Sequence, residues 1–182
     1  MKRPLNIVDK DDKIIGVKER EEIHEKGLLH REVGVYFVTR NKEVIFQHRA
    51  KDKDLFPDML DATVGGHVEI GHSYEESALK ETEEETGLKI AGSDLIFLNK
   101  TEEYFDDLTT GKSNHTFNYR YAYVYDGDIK DLKVEEGKAI GFEAWPIDKL
   151  SALSDSDKAR FIPFVLRVAV MELAEFIKGL KL

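Results

Sequence analysis

Between Gly65 and Gly87 the sequence GGHVEIGHSYEESALKETEEETG sets seven glutamates into 23 positions behind a glycine pair. Ser73 and Glu76 have the spacing of a capping box, which predicts a helix beginning at Tyr74, and Gly87 suits a left-handed end. At ~100° of rotation per residue, Tyr74, Ala78, Leu79, Thr82 and Thr86 share a core-facing arc. Glu76, Lys80 and Glu83 fall on the outer arc, and Glu81, Glu84 and Glu85 form a patch beside the buried one. Like charges one turn apart cost about 0.2–0.5 kcal/mol per pair even when exposed, and more where water is excluded. A hard divalent cation removes that repulsion, and oxygen ligands from adjacent turns suit Mg²⁺, which keeps several waters and binds substrate phosphates. A solvated acidic face with pairs such as Glu76 and Lys80 fits the same spacing. Spacing alone leaves both readings open.

The chain that must position these groups has 182 residues, 41% of them hydrophobic, enough for one domain with its own core. A formal net charge of −9 argues against polymeric nucleic acid and membrane surfaces as partners. An anionic substrate therefore needs local cations or metal ions. Cysteine is absent, which excludes disulfides, thiolate metal sites and cysteine nucleophiles and suits a reducing cytoplasm. MKRPLNIVDKDDK has no apolar stretch long enough for a signal peptide. Phe161 to Leu180 is interrupted by Arg167, Glu172, Glu175 and Lys178, too charged to cross a bilayer.

No repeat or linker divides the chain. NIVDKDDKIIGV reads as a hairpin, and KEREEIHEKGLLH as a helix stopped at Gly27. These form an N-terminal extension over about residues 1–28. REVGVYFVTR and VIFQHR read as a strand pair around NKE. HRAKDKDLFPDM is a charged loop. LIFLNKTEEYFD and HTFNYRYAYVYD are strands joined by DLTTGKSN, and KAIGFEAWP is another strand. PIDKL is a short helix, and a C-terminal helix is expected over about 157–180. The order predicts an α+β domain in α/β/α layers.

On these residues the chain resembles the Nudix family, whose signature is G-x5-E-x7-R-E-U-x-E-E-x-G-U with U a bulky apolar residue. Gly66 matches the first glycine, Glu81 the glutamate after the arginine, Glu84 and Glu85 the paired glutamates, and Gly87 and Leu88 the end. His72 stands in place of glutamate, Lys80 of arginine and Thr82 of an apolar residue. Lys80 keeps the charge without the planar fork. In the family the first two positions are thought to tie loop to helix, and His72 cannot replace a carboxylate opposite Lys80. The expectation is a His72 that is structural and neutral near pH 7, or else an accessory polar contact.

The resemblance implies the Nudix fold, a mixed β-sheet sandwiched between helices, over about residues 5–150. It also implies hydrolysis of a diphosphate bond, in a nucleoside diphosphate linked to another moiety or a related nucleotide. Glu81, Glu84 and Glu85, with the carbonyl of Gly66, would hold Mg²⁺ or Mn²⁺, and a signature glutamate, or Glu135 or Glu136 downstream, would act as base. Among the basic residues before the signature, Arg49 is the better phosphate contact than Lys51 or Lys53. His48 and His67 complete the substrate contacts. Phe56 and Tyr104 can stack on a base or pack in the core, and core packing is the expectation for both, as it is for Trp145. Selectivity is expected in DLTTGKSN and the N-terminal segment.

HRAKDKDLFPDMLDATVGGHVEIGHSYEESALKE and GLLHREVGVYFVT resemble the Nudix subgroup that includes isopentenyl-diphosphate isomerase. That enzyme is the nearest alternative. Its catalytic cysteine falls at Gly65, so a proton-transferring group is missing. Its metal histidines would correspond to His30, His67 and His24, beside the plainer readings of His24 as a solvent-exposed helix residue and His30 as a strand-end residue. A nucleotide-binding module without turnover is a further alternative, disfavoured by three mutually repelling carboxylates. The apolar C-terminal helix leaves room for a homodimer.

Overall fold

A computed structural model describes residues 3–53, 56–107 and 111–179. In chain order the strands and first helices are β1 (Pro4–Val8), β2 (Ile14–Glu19), α1 (Arg20–Lys26), β3 (His30–Thr39), β4 (Glu43–Arg49), β5 (Leu60–Asp61), β6 (Val64–His67) and α2 (Tyr74–Thr86). They are followed by β7 (Ile96–Asp107), β8 (Lys112–Tyr125), β9 (Ala139–Pro146), α3 (Ile147–Leu150) and α4 (Asp155–Lys158). A helical run closes the order: α5 (Pro163–Val168), a π-helical turn Ala169–Leu173, and α6 (Ala174–Gly179).

The strands form one mixed sheet around β3. Its apolar run VGVYFV is buried on both faces, as a central strand requires. β3 pairs in parallel with β8 from His30–Thr116 to Thr39–Tyr125. On its other edge it pairs antiparallel with β6 near its start and with β4 near its end. β4 continues to β9 and β5, and β7 completes a hairpin with β8. The β1–β2 hairpin joins through a pairing of Ile7 with His30.

Each face carries its own core. Val33, Val35, Phe37, Val64 and Tyr121 pack with Ala78 of α2 on one face. Tyr36, Val38, Phe46 and Ala122 pack with Phe161, Val165, Leu173 and Ile177 on the other. The sheet is therefore sandwiched between helices, as the sequence implies.

The C-terminal helix is shorter than the expected 157–180, beginning at Pro163. The residue before a proline is steered out of the helical region, and Ile162 is extended, with ψ 125°. Ile162 N donates to Leu60 O and Leu60 N to Arg160 O, so Phe161 pairs with Leu60 instead of entering a helix. Trp145 packs on Phe161 at 5.1 Å between ring centres, as expected. Tyr104 does not enter the core. It lies on β7, which pairs on one side with β8, and is 61% exposed. Of the expected selectivity loop DLTTGKSN, residues 108–110 lie outside the described residues, and Lys112–Asn114 belong to β8.

Candidate active site

Helix α2 starts as its cap predicts: Glu76 N donates to Ser73 Oγ, and Ser73 N to the Glu76 carboxylate at 2.7 Å. Gly87 ends it at φ 71°. Thr82 and Thr86 are fully buried, and their hydroxyls donate to the carbonyls of Ala78 and Thr82. A threonine in the apolar position of the signature thus satisfies its hydroxyl locally.

The buried stripe is wider than the helical arcs predict, because Glu81 and Glu85 lie inside it. Glu85 is 3% exposed, Glu81 9%, and Glu84 sits at the exposed rim. Glu85 Oε2 accepts from Gln47 Nε2 at 3.0 Å and from Gly65 N at 3.2 Å. Burial pushes its carboxyl up to about 7 against the opposing charge of Lys138. Burial likewise raises Glu81, again opposed by Lys138. Lys138, in the turn before β9, places Nζ 3.5 Å from Glu81 Oε2, 3.3 Å from Glu85 Oε1 and 2.9 Å from Glu135 Oε2. Burial would lower this lysine, but Glu85, Glu135 and Glu81 outweigh it and raise it above its ordinary value.

Gly66 brings β6 against the helix. A Cβ there would lie 2.3 Å from Glu81 Cδ, so only glycine admits the carboxylate. The loop between them is tied to the helix by a residue outside the signature positions. Glu69 accepts from Lys80 through Oε1, and its Oε2 is 3.7 Å from His72 Nδ1. Glu69 thereby supplies the carboxylate that His72 cannot.

Gln47, Gly66, Glu69, Glu81, Glu84, Glu85 and Lys138 line a cleft of about 1460 Å³. Arg49 and Lys53 also line it, as do Glu135, Phe56 and Tyr104. Arg49 is braced by Asp61 at 2.8 Å and the Phe56 carbonyl at 3.1 Å. Phe56 packs on Phe105 at 4.8 Å between ring centres and is partly buried against the core cluster that holds Phe161, as expected. His48 is not among the lining groups: it is held between Asp58 at 3.0 Å and Glu143 at 3.5 Å. On a strand, Gln47 and Arg49 share the face opposite to His48. Glu136 is exposed and outside the cleft lining. Lys51 lies 3.9 Å from Asp58.

A second donor set lies further along the same cleft. His24, His30 and His67 bring one ring nitrogen each within 4.8 Å of one another. His30 Nδ1 lies 2.9 Å from the Leu28 carbonyl and His24 Nδ1 3.3 Å from the Ser113 carbonyl. A carbonyl only accepts, so each Nδ1 carries the proton and each Nε2 keeps its lone pair. The Nε2 atoms of His30 and His67 are buried without a hydrogen-bond partner. Burial lowers His30 to about 4 and His67 well below its ordinary value, which keeps both neutral. Glu32 Oε1 lies 3.4 Å from His67 Nε2 and 4.0 Å from His30 Nε2, and burial pushes this carboxyl up to about 7. Three imidazoles and one carboxylate in a buried group have the composition of a transition-metal site.

Lys138, Gln47, Glu32 and Glu69 escape a motif-based reading. Gln47 alone carries a signal, a polar residue on the same strand face as Arg49. Lys138 and Glu69 reach α2 only through loop geometry.

The family description NUDIX domain matches residues 28–165. An uncharacterized Nudix hydrolase of Clostridium acetobutylicum is 31% identical over 156 residues, covering 84% of this chain and 74% of the relative. Another from Nostoc sp. is 40% identical over 87 residues, covering 47% of this chain and 52% of the relative, so the chain spans about half that relative's length. A crystal structure of a Deinococcus radiodurans protein superimposes with a TM-score of 0.62 at 23% identity, covering 97% of this chain and 98% of that one. The NUDIX domain of Shewanella oneidensis NrtR, solved with ADP ribose, gives a TM-score of 0.60 at 13% identity, covering 82% and 87%. At these identities the two structures show a shared fold.

Proposed function

The chain belongs to the Nudix hydrolase family, and from that premise we propose that it cleaves a diphosphate bond with Mg²⁺ or Mn²⁺, in a nucleoside diphosphate linked to another moiety or a related nucleotide. What carries this reading is the buried pair Glu81 and Glu85 facing a cleft, with Glu84 at the rim and Gly66 pressed against Glu81.

The donor set fits a hard divalent ion, being carboxylate oxygens from successive helical turns beside the Gly66 backbone. Glu81, Glu84, Glu85 and the Gly66 carbonyl would hold it. Bound there, the ion supplies neutralisation of diphosphate oxygens and acidification of water. Gln47 and the Gly65 amide fix the Glu85 carboxylate through Oε2. Arg49, braced by Asp61, offers guanidinium to a phosphate. A signature glutamate or Glu135, which lines the cleft, takes the water proton. Beyond the diphosphate, Phe56 and Tyr104 offer rings to a base or other apolar moiety. The ADP ribose in the Shewanella oneidensis domain supports this substrate class.

The decisive experiment is phosphate or nucleotide release from a panel of nucleotide sugars, dinucleotides, nucleoside diphosphates and triphosphates, and isoprenoid diphosphates. Glu85→Gln should lose about 10²-fold or more in turnover with the fold kept; near-normal activity would sink the assignment. Binding across the panel without any release would favour a non-catalytic module.

One observation favours a second, isomerase-like reading: the cluster of His24, His30 and His67. Glycine at 65 and the lack of cysteine leave that chemistry without its proton-transferring group. We assign the cluster to a second metal held beside a hydrolytic site. Elemental analysis of purified protein should find a transition metal that His30→Ala removes and Glu85→Gln retains. Conversion of isopentenyl diphosphate without release of phosphate would reverse the preference.

Among the described residues no helix is long and apolar enough to cross a membrane. A cytoplasmic setting suits a chain without cysteine. A homodimer would use the exposed side of the C-terminal helical run, where Met171 is 66% exposed, and sedimentation would detect it.

A further inference from the structure

We propose that Lys138 is a tethered cation that competes with the divalent ion for Glu81 and Glu85 and must withdraw from them for the ion to bind. This inference rests on the assignment of the ion to the signature carboxylates.

Lys138 Nζ stands 3.5 Å from Glu81 Oε2 and 3.3 Å from Glu85 Oε1, bridging the two buried signature carboxylates. It also pairs with Glu135 Oε2 at 2.9 Å, the shortest of the three contacts and the one that does not involve the helix. The ammonium therefore has a partner to fall back on. Its backbone is pinned, and its charge sits at the end of a flexible stem. Lys138 N donates to Glu135 O at 3.1 Å, and its carbonyl accepts from Ala50 N at 3.1 Å. Gly137, at φ 76°, makes the turn. Four methylenes then carry the charge from an anchored turn across the cleft, and the side chain is 29% exposed, enough to move into it.

The same carboxylates cannot serve both cations at full strength. A hard divalent ion requires its oxygens at about 2.0–2.1 Å, and a lysine ammonium beside it would be repelled as a like charge. Lysine suits this task because it is a compact point charge on a flexible stem, where arginine would be held by its planar fork. The consequence is a signature site whose ion affinity is set lower than its carboxylates alone would give. An anionic diphosphate entering the cleft draws the displaced ammonium towards itself, so ion and substrate load together.

The test is Mn²⁺ binding without substrate at pH 8, read from the electron paramagnetic resonance signal of free Mn²⁺. Wild type is compared with Lys138→Met, Lys133→Met and Glu85→Gln. Lys133 lies beside Gly87 at the far end of the helix and serves as the control. At the site that Glu85→Gln abolishes, Lys138→Met should bind Mn²⁺ at least tenfold tighter than wild type, and Lys133→Met should match wild type. Equal or weaker binding by Lys138→Met overturns the competition. If Glu85→Gln removes no Mn²⁺ site from wild type, the assignment of the ion to the signature fails as well.

A second measurement needs no variant. Lysine acylation followed by mass spectrometry should show labelling of Lys138, relative to Lys133, rising at least threefold on saturation with Mg²⁺. Unchanged labelling with Mg²⁺ bound also overturns the proposal.

Discussion

A side-chain carbon at Gly66 would stand 2.3 Å from the carboxyl carbon of Glu81. The position is extended strand, where alanine meets no backbone strain, so the restriction comes from the carboxylate alone. Gly66→Ala should therefore leave the fold intact and push Glu81 out of its place. A shift of about 1 Å at a reacting centre costs on the order of 10²-fold, and that loss in turnover is expected together with weaker Mn²⁺ binding. Circular dichroism and a kinetic assay over the same metal range would check it; alanine with wild-type affinity for Mn²⁺ would refute the packing argument.

The helix end-points and the identity of the acidic patch were legible in the sequence because a capping box and a C-terminal glycine are local chemistry. The depth of the patch was not. Helical arcs place Glu81 and Glu85 beside the buried face, but the arrival of β6 and of Lys138 encloses them, and both come from elsewhere in the chain. The three histidines could be set beside those of a related enzyme, but only the fold shows His24 of a helix meeting His30 and His67 of two paired strands. The C-terminal helix starts later than its local pattern implies because Phe161 pairs with Leu60, a contact about a hundred positions away that no local periodicity encodes. His48 stays out of the cleft for a simpler reason: strand alternation sends it away from its neighbour Arg49.

Glu69 supports both departures from the signature, accepting from Lys80 and facing His72. Removing it should matter more than restoring the family residue. Supporting contacts of this kind are worth about 10- to 100-fold, so Glu69→Ala should lower kcat/KM by about tenfold, while His72→Glu stays within a few-fold of wild type. A gain of tenfold or more in His72→Glu would show instead that the native loop is compromised.

Arg120 is 1% exposed on β8, hydrogen-bonded to Glu103 and to Asn99 at 3.2 Å, with Glu172 at 3.8 Å. Removing one partner of a buried ion pair leaves a charge without compensation, a loss of about 3–5 kcal/mol. Arg120→Met should show that loss in urea unfolding. Arg167 reaches Glu103 at 3.3 Å, so the further change Glu103→Gln should recover part of it. A double variant no more stable than the single one would place the cost in packing rather than charge.

The histidine cluster predicts an acid-dependent stability with a defined sign. Burial lowers His30 from 6.5 to about 4 in the folded chain. Between those values the unfolded chain takes up a proton that the folded one refuses, so protonation favours unfolding as pH falls through the window. Above 6.5 His30 is neutral in both states and the contribution is complete; below about 4 it is lost. The shift amounts to about 3 kcal/mol at 1.36 kcal/mol per unit. Glu32, raised from 4.5 to about 7, acts oppositely, because the folded chain holds its proton and loses that advantage as pH rises. The wild-type profile therefore mixes both. His30→Gln removes the histidine contribution and keeps Glu32. Urea unfolding of metal-free protein at pH 7, 5.5 and 4 should show the stability of wild type relative to His30→Gln falling by about 3 kcal/mol across the series. Parallel profiles would mean that His30 titrates alike in both states, and its burial would not govern its charge.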